Sequence, residues 1–171
     1  MMLDFPVHFD EVHVITCKAV LQIPTQHRDF RPTSEMMTAF ELVFHMFSQE
    51  KVMLGACTSG TLALDDFRRV ESDKNTLQTI EDLTRYGEEV HKATAQWIRP
   101  ASKDELTKIV RTFIGPSTSE KLLLSALEHI FHHRGQLYVY LRLMGIEPVF
   151  VWSGEPMSAA RRKFEKPHES F

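Results

Sequence analysis

Three of the nine histidines of this chain, His129, His132 and His133, fall within a single five-residue stretch. On a helix, positions four apart lie about 40° apart around the axis and about 6 Å along it, so His129 and His133 aim at a common point. His132, about 60° from His129, points elsewhere. Neutral imidazoles at the edge of a core are what a divalent transition metal takes as ligands, and an i, i+4 pair supplies two nitrogens from one rigid element. A third ligand must come from another segment. His45, set among Phe44, Phe47 and Leu42, is the candidate. Three histidines leave coordination positions open for water or substrate, the mark of a catalytic metal site. The same spacing also suits a hydrogen-bonded boundary pair without metal, and spacing alone leaves both readings open.

Other chemistries find less support. There is no H-E-x-x-H, no Gly-rich phosphate loop and no G-x-S-x-G elbow. A ferritin-like di-iron bundle needs a Glu-x-x-His from each of two helices; among the predicted helices Glu88 with His91 matches, and it reads as an ordinary exposed pair. His8, His13, His27, His91 and His168 have no comparable partner and are expected to be solvated or simply hydrogen-bonded. Cys17 and Cys57 form no C-x-x-C and read as buried free thiols.

The elements that must position the histidines are helical. Sparse glycine and proline separate long periodic segments. The spacing predicts a first helix over 7–22, stopped by Pro24, and a loop over 24–32. A second helix, N-capped by Ser34, carries Phe40, Val43, Phe44 and Phe47 and ends near Gly55. Residues 58–74 read as a crossover with a turn at Gly60. A third helix starts at Asn75 with Gln78 and is stopped by Pro100. Residues 101–115 are ambiguous, since Ser102 with Glu105 can cap a helical turn while Ile109, Val110, Phe113 and Ile114 also suit a strand; the segment is taken as an irregular link. Ser117 with Glu120, after Pro116, opens the clearest helix, which reaches Met144 and is closed by Gly145 and Pro148. The expected architecture is all-α, a four-helix bundle with a long crossover over residues 1–152, followed by a loosely attached tail over 153–171.

The chain of 171 residues has 20 Lys plus Arg against 23 Asp plus Glu, a net charge of −3, with no concentrated basic run, so nucleic-acid binding is not expected. No apolar run reaches the roughly 20 residues that span a bilayer. The N-terminal stretch lacks a basic n-region, so the expected location is the cytoplasm. A homodimer through an apolar helix face is expected.

The stretch HIFHHRGQLYVYLRLMG over 129–145, followed by Pro148, resembles the C-terminal signature of the DinB-like superfamily, the damage-inducible and YfiT-type metalloenzymes. The H-x-x-x-H-R-G-Q core is present as His129, His133, Arg134, Gly135 and Gln136. Upstream, FRPT over 30–33 and ELVFHMF over 41–47 are similar to the family's loop and second-helix histidine. The resemblance implies a four-helix bundle with an unusual crossover and a divalent metal, nickel, zinc or similar, held by His45, His129 and His133. It further implies a metal-dependent enzyme acting on a small molecule, such as an S-transferase using a low-molecular-weight thiol. A metal-dependent hydrolase and a non-enzymatic ligand- or partner-binding bundle are the alternatives. No general base stands out.

Around this core, Arg134 lies on the apolar seam and is expected to anchor the ligand helix through a carboxylate or backbone carbonyls. Gly135 is expected to permit close helix approach. Gln136 and Tyr140 continue the histidine row, where either can orient a ligand or line the pocket. Glu41, one turn before His45, is a candidate to hold its ring.

Overall fold

The computed structural model describes residues 4–165. Helix α1 (Phe5–Val20) begins earlier than the predicted 7–22 because the Asp4 carboxylate accepts from the Val7 N–H at 3.2 Å. Pro6 sits in the first turn, where its missing N–H leaves nothing unpaired. A single 3₁₀ turn (Thr25–His27) interrupts the loop that follows.

Helix α2 (Ala39–Ser59) is capped by Thr38 rather than Ser34. The Glu41 N–H donates to the Thr38 hydroxyl at 3.1 Å and the Thr38 N–H to the Glu41 carboxylate at 2.8 Å, a reciprocal box that Ser34 lacks. The helix runs through Gly55 and stops at Gly60, whose φ of 81° supplies the left-handed residue that ends it.

Strand β1 (Thr61–Leu62) and helix α3 (Leu64–Glu71) lead into a 3₁₀ turn (Ser72–Thr76) and helix α4 (Ile80–Ile98). Thr79 and Asp82 form the capping box of α4, displacing the predicted start at Asn75. The link over 101–115 is ordered, contrary to expectation, and uses both of its local signals in turn. Ser102 with Glu105 caps helix α5 (Lys103–Thr107), then Ile109 and Val110 enter strand β2 (Ile109–Thr112). Strand β3 (Gly115–Thr118) pairs antiparallel to β2, and β1 pairs parallel on its other edge with Thr61 opposite Arg111. The mostly helical chain therefore carries a small three-stranded sheet in addition to its helices. Ser117 lies within β3, and Thr118 caps helix α6 (Ser119–Leu143) by accepting from the Lys121 N–H at 3.3 Å. Within the predicted tail, helix α7 (Met157–Glu165) buries Ala160; His168 lies outside the described residues.

Four long helices enclose the core, in which Phe44, Phe47, Leu83, Leu123, Ile130, Leu137 and Leu141 are fully buried. Helix α2 packs along α4 and α6, and α1 packs along the same two, so α1 and α2 stand diagonally opposite, as do α4 and α6. The chain crosses the bundle diagonally from α1 to α2 and again from α4 to α6. Helices α2 and α6 form the most extensive helix pair, and the candidate site lies on it. No helix among the described residues is long and apolar enough to cross a membrane.

Candidate metal centre

Among the described residues two groups bring three possible ligand atoms within 4.8 Å of one another: His45, His129 and His133, and separately His13, Glu50 and His91. His45 and Glu50 are five positions apart on α2, about 140° around the helix and about 7.5 Å along it, so the two groups occupy different seams of the bundle.

The first group joins α2 to α6. His129 and His133 are one turn apart, with ring centroids at 4.2 Å and planes inclined by 66°. His45 stands 4.7 Å from each, inclined by 64° to His129 and 82° to His133. The Nε2 atoms of His45 and His129 are 3.0 Å apart. Tetrahedral coordination with metal–nitrogen bonds near 2.0–2.1 Å places ligand nitrogens about 3.3 Å apart, so the pair already stands close to chelating separation. The ring planes cross, which lets lone pairs converge from different directions.

The electrostatics keep the rings neutral. Burial pushes His129 down to about 3, with further lowering from His133, His45 and His132. Burial and then His133 lower His45. Burial also lowers His133, against the opposing hydrogen bond that its ring donates to Gln136. Desolvated neutral imidazoles are the form that ligates metal. The other His129 nitrogen, Nδ1, is buried without a hydrogen-bond partner, so no described side chain fixes that ring's tautomer as Gln136 fixes that of His133. The residues present fit a divalent transition metal.

Neighbouring side chains take up distinct tasks. The Gln136 carbonyl oxygen lies 2.7 Å from His133 Nδ1, so the ring donates there and its Nε2 keeps the lone pair; the Gln136 amide stands 3.3 Å from His132 Nε2. Gln136 therefore orients the His133 ring, and exposed His132 also meets that ring edge-on, with centroids 4.7 Å apart. Glu41 does not hold His45, because its carboxylate is committed to the Thr38 cap and faces Arg31 at 3.8 Å. Tyr140 lines no ligand: its hydroxyl donates to the Met37 carbonyl at 2.9 Å and its ring meets Phe30 edge-on, fastening the loop before α2. That loop contributes Arg31, Met36 and Met37 to a cleft of about 350 Å³ beside His45, completed by Glu71 and Lys74. Arg134 is buried and donates to the Val12 carbonyl at 3.4 Å, tying α6 to α1.

Gly135 corrects an expectation, since an added Cβ would meet nothing within 4 Å. The glycine that permits close approach is Gly87 on α4, where a Cβ would lie 2.6 Å from the Phe47 ring. Sequence reasoning missed it because an isolated helix glycine shows nothing of its neighbour. His91 is a second correction: it is buried, with Asp10 and Glu50 as partners from other helices, and His13 is stacked on it. Cys17 and Cys57 are buried and free, with burial pushing their thiols up to about 12 and about 11, which leaves neither as a nucleophile.

The diagonal crossings of this helical chain bring one histidine of α2 against two of α6. The chain belongs to the DinB family, whose model matches residues 3–162. It is 25% identical over 141 residues to the protein YjoA of Bacillus subtilis (strain 168), covering 81% of this chain and 87% of that one. The crystal structure of that DinB-like protein superposes with a TM-score of 0.71, over 87% of this chain and 97% of the other. A protein from Exiguobacterium sibiricum 255-15 ascribed to the DinB family shares the fold at 21% identity, with a TM-score of 0.61 over 85% of this chain and 95% of the other.

Proposed function

We propose that His45, His129 and His133 hold a divalent transition metal, nickel, zinc or similar, and that the chain is a metal-dependent enzyme acting on a small molecule. The reaction is transfer of a low-molecular-weight thiol to an electrophile, carried out in the cytoplasm by a homodimer. The observation that supports this reading is the convergence of three neutral imidazoles from two helices beside an open cleft. A bound divalent ion would act there as a Lewis acid, lowering the pKa of a thiol or water in an open position.

The residues divide the remaining work. Gln136 holds the His133 ring in register. The loop fastened by Tyr140 walls the cleft in which the electrophile sits. The thiol sulfur forms a bond to an electrophilic carbon, the bond from that carbon to its leaving group breaks, and the thiol proton passes to solvent. Because both cysteines of the chain are buried with raised pKa values, the attacking sulfur comes from a co-substrate.

Elemental analysis of protein purified without chelator is expected to find about one equivalent of metal per chain, lost in His129→Ala. Absence of stoichiometric metal, or equal content in the variant, overturns the proposal. An assay panel of thiols with electrophilic acceptors then tests the reaction; turnover that needs no thiol assigns a hydrolase instead.

A further inference from the structure

The second buried cluster differs in kind from the first. On α4, His91 places Nδ1 3.1 Å from Glu50 Oε1 of α2 and Nε2 2.9 Å from Asp10 Oδ1 of α1. The other Asp10 oxygen pairs with Arg99, at the end of α4. Arg99 is exposed and Glu50 is fully buried, so four charges alternate from the surface to the middle of the bundle. A neutral imidazole carries one donor and one acceptor, and an acceptor set against a carboxylate is repulsive. With an ionised carboxylate at each nitrogen, His91 donates from both.

The His13 ring of α1 lies flat on the His91 ring, with centroids 4.1 Å apart and planes within 6°. Imidazole lone pairs lie in the ring plane, so parallel stacked rings cannot both direct one toward a single ion about 2 Å away. The crossed rings of His45, His129 and His133 have no such obstacle.

We propose that Asp10, His91, Glu50 and Arg99 form a proton-dependent latch that pins α1 to α2 and α4, with His91 as an imidazolium at neutral pH rather than a metal ligand. The charged and titratable groups around it are Asp10, His13 and Cys17 from α1, Glu50 from α2, and Glu88 and Arg99 from α4. Arg134 of α6 reaches the same stretch of α1 at the Val12 carbonyl. Burial opposes the charge on His91, but the hydrogen bonds and charges of Glu50 and Asp10 outweigh it and hold the ring above its ordinary value. His13 is pushed the other way, down to about 3, by burial and by the charge on His91, so the stack is one charged and one neutral ring.

The pH consequences have opposite signs. The contribution of His91 is complete below the unfolded pKa of about 6.5 and is lost as pH rises through the higher folded value. That of His13 is complete above about 6.5 and declines as pH falls toward about 3. The latch is therefore firmest between the two, and alkaline pH releases α1 first.

Long-range ¹H–¹⁵N correlation of the histidine rings tests this on the intact protein. One ring is expected to keep protons on both nitrogens at pH 7.5, with its midpoint lowered in Asp10→Asn and its signal absent in His91→Gln. Backbone amides of α1 are expected to gain exchange beyond the intrinsic alkaline rise as that ring loses its proton. If no ring is doubly protonated at pH 7.5, the latch is refuted. It is also refuted if the wild type binds a second equivalent of zinc that Asp10→Asn or His91→Gln does not.

Discussion

Gln136 offers the most direct test of how the centre is held. Its carbonyl oxygen, 2.7 Å from His133 Nδ1, selects the tautomer that leaves Nε2 free. Replacing Gln136 by Leu keeps a side chain of similar bulk but removes that acceptor. His133 is then free to place its proton on either nitrogen and to turn its ring. Loss of such an outer partner costs metal affinity about 10–100-fold, or about 1.4–2.7 kcal/mol. His133 and Gln136 are only half-buried, so water can replace part of the lost bond and the effect should fall near the lower end, about tenfold. Competition of the wild type and Gln136→Leu for zinc against a chromophoric chelator measures the ratio directly. His132→Ala is the comparison: its exposed ring meets His133 only edge-on and takes no hydrogen bond from it, so the affinity should stay within about threefold of wild type. Equal zinc affinity in wild type and a fully folded Gln136→Leu would refute the assignment of Gln136 as the residue that orients His133.

Gly87→Ala should lose about 1–3 kcal/mol in urea denaturation by forcing the buried Phe47 ring aside, whereas Gly135→Ala should be neutral or gain up to about 1 kcal/mol from helix propensity. Glu41 is held below its ordinary pKa chiefly by the Thr38 backbone hydrogen bond, so its stabilisation is present above about 4.5 and lost as pH falls through the lower folded value; the acid limb of stability should be shallower in Glu41→Gln. Saturating the centre with zinc at about 100 times Kd should add about 2.7 kcal/mol to wild-type stability, read as a rise in Tm that His45→Ala does not show.

The four long helices were legible because their apolar stripes and stop signals are local. Their start points were less so: Thr38 and Thr118 outcompete Ser34 and Ser117 because each has its partner N–H three residues ahead in the helix that forms. Gly55 reads as a stop in sequence, yet a helix tolerates a glycine in its interior, and the positive φ occurs at Gly60. The convergence of the histidine trio could be read because two members share one helix face and the third, His45, stands among core aromatics of another helix, the residue that the family resemblance also selects. His91 could not be, since its partners, Asp10 and Glu50, stand 81 and 41 residues away and periodicity carries no trace of such pairing. Gly87 and Gly135 show the same limit, because what a glycine is for depends on the element facing it.

The diagonal path of the chain separates His45 from His129 by 84 residues, with three complete helices and the small sheet between them. Such non-local contacts form late, after the loops that close them have been ordered. During synthesis, a nascent chain that has released α2 holds one of the three imidazoles and cannot chelate until its C-terminal portion emerges. Capture by the proposed centre would thereby be postponed to the last stage of maturation, and a product truncated before residue 129 would lack two of its three imidazoles.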